Sequence, residues 1–171
     1  MKKNLHTTKT LLLLRHAKSS WKDETLPDFE RPLNTRGRRA AEIIGRYLRT
    51  QKVLPDLIVS SPAFRARETI EIVIKASRVR SELRYDERIY EASPRRLLEV
   101  INEIEDERKT VLLVGHNPGM EQLLELLTGE VQVMPTAALA SIAVRTTAWN
   151  ALSDGQATLE WLIKPKDLDE H

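Results

Sequence analysis

Arg15-His16, Ser61-Pro62 with Arg65 just beyond, and Gly115-His116-Asn117-Pro118 each follow directly on a short apolar run, at 11–14, 57–59 and 111–114. Two imidazoles and two guanidiniums form a set suited to a tetrahedral dianion. A guanidinium fork engages phosphate oxygens two at a time, and the amide ends of following helices add positive partial charge. A neutral histidine beside such a group can attack phosphorus and hold it covalently. The scheme calls for neither metal nor cofactor. With zero cysteines, thiolate ligands and a thiol nucleophile are excluded, and no third ligand stands at metal spacing beside His16 and His116.

The elements that must bring these residues together can be read from the same string. Unbroken apolar runs bounded by polar residues indicate strands buried on both faces, as in a mostly parallel sheet. A helical pattern follows each run. Ala40, Ile43, Ile44, Tyr47 and Leu48 keep the 3.6-residue period. Ser61-Pro62, Ser93-Pro94 and Asn117-Pro118 each read as an N-cap followed by a first-turn proline. Alternating segments at 138–144 and 157–163, around Asp154-Gly155, indicate an antiparallel hairpin. The expected fold is a three-layer α/β/α sandwich with a mostly parallel central sheet, an antiparallel edge hairpin and no capping domain. In such sheets the ligand site lies beyond the carboxyl ends of the strands, where all three motifs fall.

The 171 residues suit one domain over 1–171, with its core at about 9–163. Hydrophobic residues make up 41%, enough to bury that core, and the net charge of +2 is too small to argue for nucleic acid. The apolar run at 11–14 falls far short of the roughly 20 residues of a membrane span, and Arg15 ends it before a secretory signal forms. No membrane partner and a cytoplasmic location are therefore expected.

Arg15-His16-Ala17 resembles the Arg-His-Gly signature of the histidine phosphatase (phosphoglycerate mutase-like) superfamily. The stretch from Ser61-Pro62 through Arg65 to Thr69 is similar to its second motif, and Gly115-His116-Asn117-Pro118 to its third. Ala17, the stretch Arg31-Pro32-Leu33-Asn34-Thr35-Arg36-Gly37 and the short chain resemble the SixA group of phosphohistidine phosphatases. The resemblance implies His16 as nucleophile, with Arg15, Arg65 and His116 binding phosphate. It also suggests a phosphate contact for Ser19 and a proton-donating carboxylate, for which Glu87 is the candidate in Asp86-Glu87-Arg88-Ile89-Tyr90-Glu91. The alternative is that these acids are a solvated loop.

Arg67 competes with Arg65 and reads better as a partner of Glu71. Trp21 and Lys22 either shape the pocket mouth or pack, whereas Trp149 and Trp161 read as core or hairpin residues. Arg95-Arg96 and Arg36-Arg38-Arg39 read as solvated helix faces, or else as a greeting surface for an acidic phosphoprotein. His6 and His171 stand at the termini, away from the motifs. Arg65 and His116 are 51 positions apart, and one strand, a loop and one helix consume that stretch, leaving nothing for a lid. An open site suits a phosphohistidine presented by a protein. The rival reading is a phosphomonoesterase or pyrophosphate-cleaving enzyme for a small metabolite.

Overall fold

The computed structural model describes residues 9–168. Six strands, β1 (Lys9–Arg15), β2 (Leu57–Ser60), β3 (Glu82–Tyr85), β4 (Thr110–Gly115), β5 (Leu139–Val144) and β6 (Ala157–Ile163), form one sheet in the order β3-β2-β4-β1-β5-β6. The pairs β1–β4, β2–β4 and β2–β3 are parallel, whereas β5 and β6 close one edge antiparallel. The helices are α1 (Thr35–Thr50), α2 (Phe64–Ser77), α3 (Pro94–Asn102), α4 (Gly119–Thr128) and the short α5 (Pro165–Leu168). His6 and His171 lie outside the described residues.

The run of four leucines in β1 is continuous because both faces of the strand are covered. Leu12 and Leu14 pack with Ala41, Ile44 and Leu48 of α1 and Ile70 of α2. Leu11 and Leu13 face the other way, toward Leu97 of α3 and Leu123 and Leu127 of α4. All four are fully buried, each contributing about 1.5–3 kcal/mol relative to exposure. Between α2 and β4 the described chain holds only β3, a 3-10 turn at Glu87–Ile89 and α3, so no extra domain stands over the sheet edge.

Two of the three helix starts differ from expectation. Ser93 does cap α3, accepting from the Arg96 amide, with Pro94 in the first turn. By contrast α2 opens at Phe64 after Ala63, and the Ser61 hydroxyl accepts from the Ala63 amide and also meets His116 Nε2. Helix α4 opens at Gly119 after a cis Asn117-Pro118 peptide. Gly119 is needed there because a Cβ would collide with the Ala92 carbonyl, which the chain entering α3 presses against the start of α4. A Cβ at Gly37 would likewise collide with the Lys18 carbonyl, so α1 can sit directly on the loop that leaves His16. Trp149 is fully buried and donates through its indole N–H to the Arg108 carbonyl, while Trp161 of β6 meets Tyr47 edge-on.

Candidate active site

Parallel pairing places the ends of β1, β4 and β2 side by side at one sheet edge, with Arg15 level with Gly115 and Ser60 level with Val114. The ladder continues one residue past each strand. The His16 amide donates to the Gly115 carbonyl and the Ser61 amide to the Val114 carbonyl, both at 3.0 Å. Thr69 of α2 fixes the next residue, its hydroxyl accepting from the Ala17 amide and donating to the Arg65 carbonyl. The two imidazoles stand with ring centroids 5.0 Å apart. Arg65, the second residue of α2, reaches across them.

The contacts of His16 define its tautomer. Its Nδ1–H donates to the Ala17 carbonyl at 2.7 Å, and its Nε2 accepts from Arg65 Nε at 3.4 Å. The ring is therefore neutral, with the Nε2 lone pair turned toward Arg65. Burial pushes its pKa down to about 4, the Ala17 bond opposes this, and the charges of Arg65 and Arg15 lower it further. His116 is driven down to about 3 by burial, then by His16 and Arg65. Its Nε2 meets the Ser61 hydroxyl at 2.7 Å, and its Nδ1 is buried without a hydrogen-bond partner.

The arginines are held from outside the motifs. Arg15 donates to the Met134 carbonyl at 3.0 Å, and its Nε is buried and unpartnered. Asn117 donates to the same carbonyl and to Glu121, which also accepts from the Met134 amide, so the loop gripping Arg15 is braced by α4. Arg65 is 8% exposed and paired with Asp28, donating to its carboxylate at 3.0 Å and to its carbonyl at 2.7 Å. The Tyr90 hydroxyl donates to the same Asp28 oxygen at 2.6 Å, and its ring meets His116 edge-on at 5.4 Å. These bonds, Tyr90 first and Arg65 next, hold the Asp28 carboxyl below its usual range, and burial with Asp28 pushes Tyr90 up to about 12.

His16, Arg15, Arg65 and His116 thus converge, as their strand ends require. Ser19 does not join them by any hydrogen bond. It bridges to Leu33 through its backbone, and its carbonyl faces the Asn34 amide group. Glu87 is exposed on the 3-10 turn, and its carboxylate bonds to none of the four. Ile89 of the same turn enters the core, and Tyr90 after it enters the site. Arg67 lies over the Tyr85 ring at 4.3 Å rather than pairing with Glu71. Trp21 is 68% exposed with Arg31 stacked on it, at the surface rather than in the core. Asp28 was not anticipated, because nothing in its local string marks it. Among the described residues no cluster of three His, Asp or Glu side chains is arranged to hold a metal, and no helix is long and apolar enough to cross a membrane.

Residues 11–94 match the model of the histidine phosphatase superfamily, branch 1. An uncharacterized protein of Mycobacterium tuberculosis is 38% identical over 114 residues, spanning 67% of this chain and 69% of that one. The chain belongs to the histidine phosphatase superfamily. Within that superfamily, its fold matches a structure from Agrobacterium tumefaciens assigned as phosphohistidine phosphatase SixA. The TM-score is 0.80 at 33% identity, covering 92% of this chain and 98% of that one. A protein histidine phosphatase SixA complexed with tungstate shares the fold at TM-score 0.78 and 24% identity, over 94% and 99% of the two chains.

Proposed function

We propose that the chain is a metal-independent phosphatase that removes phosphate from phosphohistidine in a protein, through a phosphorylated His16. The observation that carries this reading is the His16 ring. It is neutral, with Nδ1–H fixed on the Ala17 carbonyl and the Nε2 lone pair beside the Arg65 guanidinium. A buried imidazole with a pKa near 4 is unprotonated at neutral pH and ready to attack.

In the first step Nε2 bonds to phosphorus as the P–N bond to the substrate imidazole breaks, and the departing ring nitrogen takes a proton from solvent. In the second, water attacks phosphorus, the bond to His16 breaks and inorganic phosphate leaves. Arg15, Arg65 and the unpartnered Nδ1 of His116 surround the place where charge spreads over the phosphoryl oxygens. Asp28 and Tyr90 position Arg65. An imidazole leaves more readily than an alkoxide, so the reaction tolerates a site whose nearby carboxyl, Asp28, is held ionised on Arg65.

A protein substrate is favoured by the lack of any inserted domain between α2 and β4 and by the likeness to the Agrobacterium chain assigned as a phosphohistidine phosphatase. The test is turnover of a phosphohistidine protein beside a panel of sugar phosphates, nucleotides and pyrophosphates. Faster turnover of any small phosphate than of the phosphohistidine protein refutes the protein-substrate reading.

A further inference from the structure

Several surface arginines are paired with carboxylates. Arg84 pairs with Glu82 and Glu105, Arg88 with Asp86 and Glu103, Arg108 with Glu82 and Glu105, Arg95 with Asp154, and Arg46 with Glu42. A concavity beside α5 gathers four cations that form no such pair among the described residues. Two adjoining hollows of about 230 and 260 Å³, sharing Arg36 and Lys166 on their walls, form a groove between α1 and α5. Lys18, Arg36, Lys164 and Lys166 line it, over a floor of Pro135 and Thr136. None of these four cations forms an ion pair among the described residues. Asp167, the nearest acid in sequence, accepts from the Lys164 backbone amide. Four like charges without an ion pair among the described residues, gathered in one concavity, focus a positive field where an anionic partner would be drawn in.

The groove is joined to the reacting centre through the backbone. Leu14 pairs with Leu139 and Leu139 with Ile163, so Lys164 leaves β6 at the same sheet edge at which Arg15 leaves β1. Lys18 is two residues beyond His16, and the Ala137 amide, next to the groove floor, donates to the carbonyls of both Arg15 and His16.

We infer that this groove is a docking surface for an acidic segment of the phosphoprotein substrate, lying beside its phosphohistidine. The inference rests on the proposed function. Its occupant is a run of Asp and Glu side chains, because one arginine and three lysines, spread over the segment after β1, α1 and the β6–α5 junction, suit dispersed carboxylates.

The probes are a short phosphohistidine peptide flanked on one side by glutamates, its serine-flanked counterpart, and p-nitrophenyl phosphate. Wild type is compared with the triple variant Arg36→Glu/Lys164→Glu/Lys166→Glu. The variant is expected to lose about tenfold in kcat/KM on the glutamate peptide, mostly in KM. Turnover of p-nitrophenyl phosphate is expected to stay unchanged, which also reports an intact fold. The gentler set Arg36→Gln/Lys164→Gln/Lys166→Gln is expected to lose about threefold, and the wild-type preference to shrink as salt rises. Equal losses on all three substrates, or no preference for the glutamate peptide in the wild type, overturn the docking surface. Binding of the unphosphorylated glutamate peptide, followed by fluorescence anisotropy, tests the groove without catalysis. If no phosphohistidine peptide turns over but this binding persists and is lost in the variants, the substrate reading fails and the groove stands. An oligonucleotide that displaces the peptide and binds more tightly overturns the assignment to an acidic protein.

Discussion

Acidification from about pH 8 to about pH 5 is expected to destabilise the fold by about 4 kcal/mol through His16 and His116 alone. Both rings are nearly buried, with pKa values pushed to about 4 and about 3 from an ordinary 6.5. The unfolded chain takes up two protons at these positions as the pH falls through about 6.5, whereas the folded chain at pH 5 has taken up almost none. Stability from a depressed histidine is thus present in full above about 6.5 and is lost as the pH falls toward the folded pKa. At pH 5 the loss is about 2 kcal/mol for each ring, from 1.36 kcal/mol per unit. This figure requires only that both folded values lie below 5, so coupling between the rings hardly alters it. The assay is urea unfolding across this range for the wild type and for His16→Gln/His116→Gln. A loss of about 4 kcal/mol moves the wild-type midpoint by about 2 M urea, and the variant is expected to lack that part of the dependence. The lowered carboxyls, such as Asp28 and Glu105, and the remaining histidines are common to both chains and cancel. Parallel curves would refute the burial argument, as would imidazole resonances of the wild type that titrate near 6.5.

His16→Ala is expected to abolish hydrolysis with little change in the unfolding midpoint, and an alkaline denaturing quench of the wild type during turnover is expected to retain phosphate on His16, read by mass spectrometry. Activity is expected to survive exhaustive chelation, and vanadate to inhibit as a five-coordinate mimic of phosphorus; loss on chelation, restored by one added metal, refutes the scheme. Asp28→Asn is expected to cost less than about 1 kcal/mol in stability, because Asp28 is half-exposed. Its kcat/KM is expected to fall about tenfold as Arg65 loses its orientation. Glu87→Gln is expected to leave every substrate within about twofold, whereas a loss of about 10²-fold confined to alkyl phosphates would restore Glu87 as proton donor.

The parts of the molecule legible in its sequence are those set by neighbours along the chain. Each apolar run, followed at once by its polar string, implied a strand covered on both faces and a residue set at its carboxyl end. Parallel pairing of β1, β4 and β2 then brings Arg15, His16, Ser61 and His116 to one edge. The failures lie where a distant contact claims a side chain that looks locally committed. Ser61 reads as a helix cap, but α2 opens only at Phe64 and the Ser61 hydroxyl also meets His116, 55 positions away. Arg67 reads as a partner for Glu71 until Tyr85 offers its ring.

Asp28 shows the same limit at the centre of the site. A guanidinium enclosed as closely as that of Arg65 needs acceptors for its N–H groups, so a polar partner was demanded in kind. Its position was not, since Asp28 reaches Arg65 across 37 residues from a loop without periodicity. Tyr90 completes the argument. It lies in the string where an acid was sought, but the 3-10 turn sends Ile89 into the core and leaves Glu87 at the surface. The side chain that arrives between Asp28 and His116 is therefore a phenol, 62 residues from the carboxylate it serves. Held protonated by burial and by Asp28, it donates to the acid that orients Arg65. The segment in which a proton donor was expected thus supplies instead a phenol bonded to the acid that pairs with Arg65.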